Sequence, residues 1–208
     1  MIIDLRNRIL LFILPLNLTF VFTQDYSPKS SGEVVKYNYY SLSYNEYHEQ
    51  ANWVYYKLNN LMLNGTAKRT NNFRTDYNIS SKSSSPNDYK GSGYDRGHLA
   101  PAGDMKINSR AMSESFLMSN VSPQNPSFNR GGWNKLESLI RMWSRNRASY
   151  VTTGGVLNSN SYRKIGKNKI SVPAQFYKVV FIPSENKMIA FLMPNQKVSK
   201  QLSKRFFL

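Results

Sequence analysis

The chain contains no cysteine. Disulfides, thiol nucleophiles and cysteine-ligated zinc are therefore excluded, although the compartment stays open, because many exported proteins lack disulfides as well. Histidine is nearly absent too, with His48 and His98 the only two. Negative charge is scarce: 12 Asp and Glu face 28 Lys and Arg, for a net charge of +16. Such an excess concentrates polyanions around a protein and speeds their encounter with it. Nucleic acid is the leading partner, with an anionic membrane surface or plain solubility as the alternatives. Beyond the N-terminal segment no apolar stretch reaches the roughly 20 residues that a membrane-spanning helix needs.

What remains is enough for one ordinary domain. The 208 residues include 40% hydrophobic side chains and 14 tyrosines, values of a folded chain with a sizeable core. At the N-terminus Arg6 and Arg8 precede the apolar run Ile9–Phe22, broken by Pro15 and Asn17. A positive start and a short apolar stretch read as a secretory signal over residues 1–23, with the domain proper at 24–208. The expected location is secreted or periplasmic. No Ala-x-Ala cleavage pattern follows, so an uncleaved anchor is the alternative. Between Ser138 and Leu208 the only acidic residue is Glu185, against 13 Lys and Arg, which places a basic face on the C-terminal half.

The chemistry concentrates in Tyr94–Asp104, and above all in Asp95-Arg96-Gly97-His98. An imidazole titrates near pH ~6.5 and can take a proton at neutral pH. The guanidinium two residues away stays charged and matches phosphate oxygens with a planar fork. A base and a phosphate clamp together point to phosphodiester chemistry. A histidine and an ion pair in an ordinary loop is the bland alternative for those four residues alone. His48, among Glu46, Tyr47 and Glu49, reads as a surface histidine.

Residues 24–49 lack clear periodicity and read as an N-terminal arm that packs late. Asn52–Leu61 is expected as the first core strand, carrying Trp53-Val54-Tyr55-Tyr56. The polar run Asn64–Gly93 follows as a long loop with Arg69 and Arg74 in it. Tyr94–Ala100 should be a short strand, Ser109–Ser115 a short helix and Phe116–Val121 a second strand, with Ser122-Pro123-Gln124 as loop. Trp133, Leu136, Leu139, Ile140 and Trp143 recur at helical spacing and predict a core-facing helix over 133–147. Tyr150–Val156, Lys169–Val172, Ala174–Pro183 and Met188–Pro194 read as strands of a largely antiparallel sheet. If the helix extended back to Asn129, helix geometry would set Asn129 and Glu137 roughly 80° apart, near enough to share one ion. A helix cap for Asn129, a solvated charge for Glu137 and a turn former for Asn120 are the plain alternatives.

The run Gly91-Ser92-Gly93-Tyr94-Asp95-Arg96-Gly97-His98-Leu99-Ala100 resembles the signature of the DNA/RNA non-specific endonucleases, in particular the mitochondrial endonuclease G type and its bacterial relatives. Three more blocks agree in order: Leu117-Met118-Ser119-Asn120-Val121-Ser122-Pro123-Gln124; Asn129 with Trp133 and Leu136-Glu137; and Ile165-Gly166-Lys167-Asn168 through Val172-Pro173, Phe176-Tyr177-Lys178-Val179 and Met193-Pro194-Asn195. The resemblance implies an α+β fold, a mostly antiparallel twisted sheet with a ββα-metal (His-Me finger) catalytic unit. By position His98 would be the general base, Arg96 a stabiliser of phosphorane charge, Glu137 the holder of a water around the metal, and Asn120 an orienting residue. Asn129 would be the one direct ligand of a Mg²⁺ ion, with Mn²⁺ as an alternative. Arg69 and Arg74 are candidate nucleic-acid contacts, with solvated loop charge as the plain alternative; an arginine that some relatives carry upstream of the signature has no firm match here, and Arg69, Asn71 and Arg74 all fall near its place. Family members usually continue past the point matching Arg205-Phe206-Phe207-Leu208, so a shortened C-terminus is expected. The implied activity is non-specific cleavage of DNA and RNA. The expected partners are DNA and RNA, with a homodimer left open and no stable membrane partner unless the N-terminal segment stays uncleaved. A binding module without catalysis and a diesterase for smaller substrates are the rival readings.

Overall fold

Alternating β-branched and aromatic residues build one large sheet, seen in a computed structural model that describes residues 25–30, 32–158 and 162–197. The expected signal segment and the apolar C-terminal tail lie outside the described residues. Six strands pair antiparallel in the order β1-β2-β3-β6-β9-β10. They are β1 (Glu33–Lys36), β2 (Ser41–Asn45), β3 (Gln50–Leu58), β6 (Ser149–Gly155), β9 (Gln175–Ile182) and β10 (Lys187–Pro194). Asn186, in the left-handed region at φ 48°, closes the turn between the last two.

The N-terminal arm is therefore a correction. Val34-Val35 and the buried Leu42 and Tyr44 place it in the sheet as β1 and β2, and β3 is the third strand rather than the first. His48 is corrected as well. It is buried, with Nδ1 2.9 Å from Ser171 Oγ, because the turn from β2 to β3 folds under the small hairpin of β7 (Lys164–Ile165) and β8 (Ile170–Ser171).

One face of the sheet meets helix α3 (Asn134–Ser144). Leu136 and Ile140, one turn apart, are fully buried against Val54, Tyr56, Val151, Phe176 and Val180. Burying such a side chain contributes about 1.5–3 kcal/mol, and the helix has no side-chain N-cap to hold it otherwise. Strand alternation then has a consequence: Phe176, Lys178 and Val180 share the buried face of β9, so a lysine lies in the core.

Between β3 and α3 runs the segment that carries the motifs. It includes the short helices α1 (Asn60–Leu63) and α2 (Ser109–Glu114) and a two-stranded antiparallel ribbon of β4 (Asp95–His98) and β5 (Val121–Gln124). The expected second strand is displaced. Met118–Asn120 turn as a 3-10 helix, and Ser122-Pro123-Gln124, expected as loop, form the strand instead. Pro123 is tolerated because a two-stranded ribbon leaves alternate N–H groups facing outward. Gln50 pins the ribbon to the sheet, accepting from Ser122 Oγ at 2.5 Å and donating to Ser171 O at 2.7 Å. Asn195 does the same from the end of β10, donating to the Pro123 and Pro173 carbonyls.

Candidate active site

The ribbon and α3 are joined by a π-helical turn, Phe128–Trp133, that puts Asn129 beside β4. Gly131 breaks the helical path at φ −105° and ψ −105°, so Asn129 and Glu137 do not sit on one straight helix. Both nevertheless line a single cavity of about 410 Å³, together with Arg69, Arg96, His98 and Arg141.

His98 ends β4 with its ring set between Phe73 and Phe116, centroids 5.2 and 4.8 Å away. Its Nε2 is sealed from solvent without a hydrogen-bond partner among the described residues, and the side chain lines the cavity. Burial, with help from the nearby Arg69 and Arg96 charges, depresses the imidazole to about 3. The ring is thus neutral at any ordinary pH. The same aromatic wall carries the cations: the Arg96 guanidinium lies 4.3 Å over the Phe73 ring and the Arg69 guanidinium 4.9 Å over Phe116. Asn71, in the left-handed region at φ 52°, accepts from Arg69 Nε at 2.7 Å and aims it.

Asn129 is held by Asp95. Its Nδ2 donates to Asp95 Oδ2 at 2.9 Å, while Arg130 takes both oxygens of the same carboxylate at 2.8 and 2.6 Å. With the amide nitrogen committed, Asn129 Oδ1 turns away from Asp95 and accepts no hydrogen bond among the described residues. Asp95 is thus tied to the turn after the ribbon as well as to its own strand. Its role is to orient the neighbouring amide.

Glu137 rests on a buried charged cluster that the sequence reading missed. Arg141 Nη1 lies 4.0 Å from Glu137 and 2.8 Å from Asp104, which also accepts from Tyr56 at 2.8 Å. Lys178, fully buried, donates to Leu99 O at 3.4 Å and sets its ammonium 4.8 Å over the Trp133 ring. Burial pushes the Glu137 carboxyl up and the Lys178 ammonium down, and each opposes the other's shift. The usable signal was Lys178 itself, a charge in the apolar alternation of β9.

Two residues stand apart from the cavity. Asn120 is buried, with Oδ1 accepting from Ala100 N and Nδ2 donating to the Ala100 and Ser115 carbonyls. It fixes the backbone just after His98 and does not line the cavity. Arg74 donates to the Ser113 carbonyl at 2.8 Å and bridges Leu117 through its backbone, also away from the cavity.

The ribbon, the turn and α3 define a ββα-metal unit set in an α+β domain, the architecture of a nuclease. Residues 20–207 match the DNA/RNA non-specific endonuclease family, and the chain belongs to it. It is 35% identical over 191 residues to the mitochondrial nuclease EXOG of Danio rerio, covering 84% of this chain and 56% of that protein. A nuclease of Nostoc sp. is 38% identical over 148 residues, covering 70% of this chain and 53% of that protein. The chain thus spans little more than half the length of these two relatives. The crystal structure of the EndoG/EndoGI complex, concerned with EndoG inhibition, superposes with a TM-score of 0.73 at 32% identity, covering 82% of this chain and 77% of the other.

Proposed function

We propose that this chain is an exported, metal-dependent endonuclease that hydrolyses phosphodiester bonds of DNA and RNA with little sequence preference, acting outside the cytoplasm. The observation that carries the proposal is the convergence of a neutral histidine, four guanidinium groups, a half-satisfied amide and a carboxylate on one cavity. His98, with its proton on Nε2, offers the Nδ1 lone pair to a water and takes its proton as that water attacks phosphorus. Arg96 and Arg69, stacked on rigid aromatic rings, meet the non-bridging oxygens where negative charge grows. Glu137 orients water on the opposite wall, and Arg141 and Lys178 keep its buried charge in balance. Asn120 acts only through the Leu99-Ala100 backbone.

Among the described residues no group of three or more His, Cys, Asp or Glu is placed to hold a metal ion. A cation with few protein ligands that keeps its waters fits the donors present, and Mg²⁺ is such an ion. Asn129 Oδ1, a hard oxygen turned away from its clamp on Asp95, would hold it. When bound, Mg²⁺ supplies charge neutralisation at the phosphate and at the leaving 3′ oxygen. Non-specificity follows from recognition through phosphate, which positions a protein without reading bases.

The test is cleavage of circular plasmid and of RNA by purified protein, with Mg²⁺ and with EDTA, beside His98→Ala and Asn129→Ala. Nicking in Mg²⁺ that is lost in EDTA and in both folded variants is the expected result. A folded parent that binds plasmid yet leaves it intact across several divalent metals overturns the proposal.

A further inference from the structure

The cavity at His98 does not end at Arg96. Arg69, Arg96 and Asn129 also line a second hollow of about 470 Å³, so the two adjoin along these three side chains. Its volume falls in the range of small-molecule sites, roughly 300–1,000 Å³. The new wall comes from the 3-10 turn Pro86–Tyr89 and from Lys90 and Tyr94.

The electrostatics of this hollow point one way. Arg69, Arg96 and the exposed Lys90 supply positive charge, while Asp95, the only carboxylate in the wall among the described residues, is already taken by Asn129 and Arg130. Pro86, Tyr89 and Tyr94 give it an apolar floor, and Tyr89 is buried with a hydroxyl that has no hydrogen-bond partner among the described residues. The turn that presents Asn87 and Lys90 is rigidly built. Asp88 accepts from Ser85 N at 2.8 Å and Ser85 Oγ at 3.0 Å, and from Asn168 N at 3.0 Å and Asn168 Nδ2 at 2.8 Å. A strand whose scissile phosphate lies between His98 and Arg96 can run directly into this hollow.

We propose that the second cavity is a subsite for the nucleotide adjoining the scissile phosphate, with Lys90 on its phosphate and Tyr94 and Asn87 against its sugar and base. This rests on the nuclease reading above and deepens it. The subsite selects polynucleotide over an isolated diester without reading sequence, because Lys90 acts as a point charge and an aromatic face accepts any base.

Binding is measured in EDTA, where turnover is not needed, using fluorescently labelled oligothymidylate and anisotropy across a salt series. Lys90→Gln should weaken binding about 5- to 10-fold at low salt and lower the slope of log K against log salt by about 0.7, one single-strand phosphate contact. Tyr94→Leu should weaken binding several-fold with the slope unchanged. Lys187→Gln, on the remote strand β10, should do neither. In Mg²⁺, Lys90→Gln should raise KM for the oligonucleotide at near-parental kcat and leave hydrolysis of bis(4-nitrophenyl) phosphate within twofold. Parental affinity and slope in Lys90→Gln, or an equal loss in Lys187→Gln, overturns the subsite. A parent that binds in EDTA with the expected slopes but cleaves neither substrate in metal overturns the nuclease reading and leaves the subsite standing.

Discussion

Asp95 offers the sharpest test of how the site is held. Among the described residues its carboxylate is the only partner of the Asn129 amide nitrogen, at 2.9 Å, and so decides which end of that amide faces the cavity. Asp95→Ala removes the acceptor while leaving Asn129, His98 and Arg96 in the chain. A hydrogen bond to a charged group contributes about 1.5–3 kcal/mol. The pair with Arg130 adds little, since that side chain is 73% exposed. If the bond's energy serves to orient the amide, its loss should lower kcat/KM roughly 10- to 150-fold, at about 1.4 kcal/mol per tenfold. The half-saturating Mg²⁺ concentration should rise with it, and Asp95→Asn, which keeps an acceptor oxygen without the charge, should fall between. The assay is initial-rate plasmid cleavage across a Mg²⁺ titration, with circular dichroism to verify folding. A folded Asp95→Ala protein with parental kcat/KM and parental Mg²⁺ dependence would refute the reasoning.

Three other outcomes are expected. A Cβ at Gly97 would stand 2.2 Å from Gln124 Cδ inside the ribbon, so Gly97→Ala should destabilise by about 1–3 kcal/mol, read as a Tm lowered by roughly 2–12 °C. Lys178→Met removes one of the cations that balance Asp104 and Glu137 and leaves Arg141 in ion-pair range of both, with Arg69 acting on Glu137 from further off. It should lower stability by about 3–5 kcal/mol in urea unfolding, and Glu137→Gln in the same chain should restore much of that if charge balance is the cause. His98 is neutral in the folded state down to a pKa of about 3, whereas the unfolded chain protonates near 6.5. Its contribution to stability is therefore complete above pH 6.5 and falls away as the pH drops from about 6.5 to 3, so Tm should decline more steeply over that interval in the parent than in His98→Asn.

Much of this was legible because the motif residues are contiguous and the strands alternate. The 3.6-residue recurrence from Trp133 to Trp143 located α3, and the alternation in β9 and β10 located the far half of the sheet. The first two strands were hidden, because Tyr, Ser and Asn dilute their pattern and only pairing, β1 with β2 and β2 with β3, makes them strands. Ser122-Pro123-Gln124 looked like loop for the same reason: turn-forming residues were overridden by the partner strand Asp95–His98. Burial of His48 depends on a hairpin more than a hundred residues away, which no local window contains. In the site, Asp95 and Asn129 lie 34 positions apart, and Tyr56, Asp104, Arg141 and Lys178 meet from four separate elements. Arg74 and Asn120 had suitable chemistry, but their donors point into backbone carbonyls.

The lysine over Trp133 gives the molecule an optical gauge of its own. The indole is fully enclosed, with Phe128 and Phe176 as neighbours and the Lys178 ammonium 4.8 Å above it. An excited indole shifts its emission with the field across the ring, and that field is set by Lys178 and by the carboxylates that balance it. Any event that changes charge near Glu137 should therefore register as a change in colour from inside the core, with no label attached.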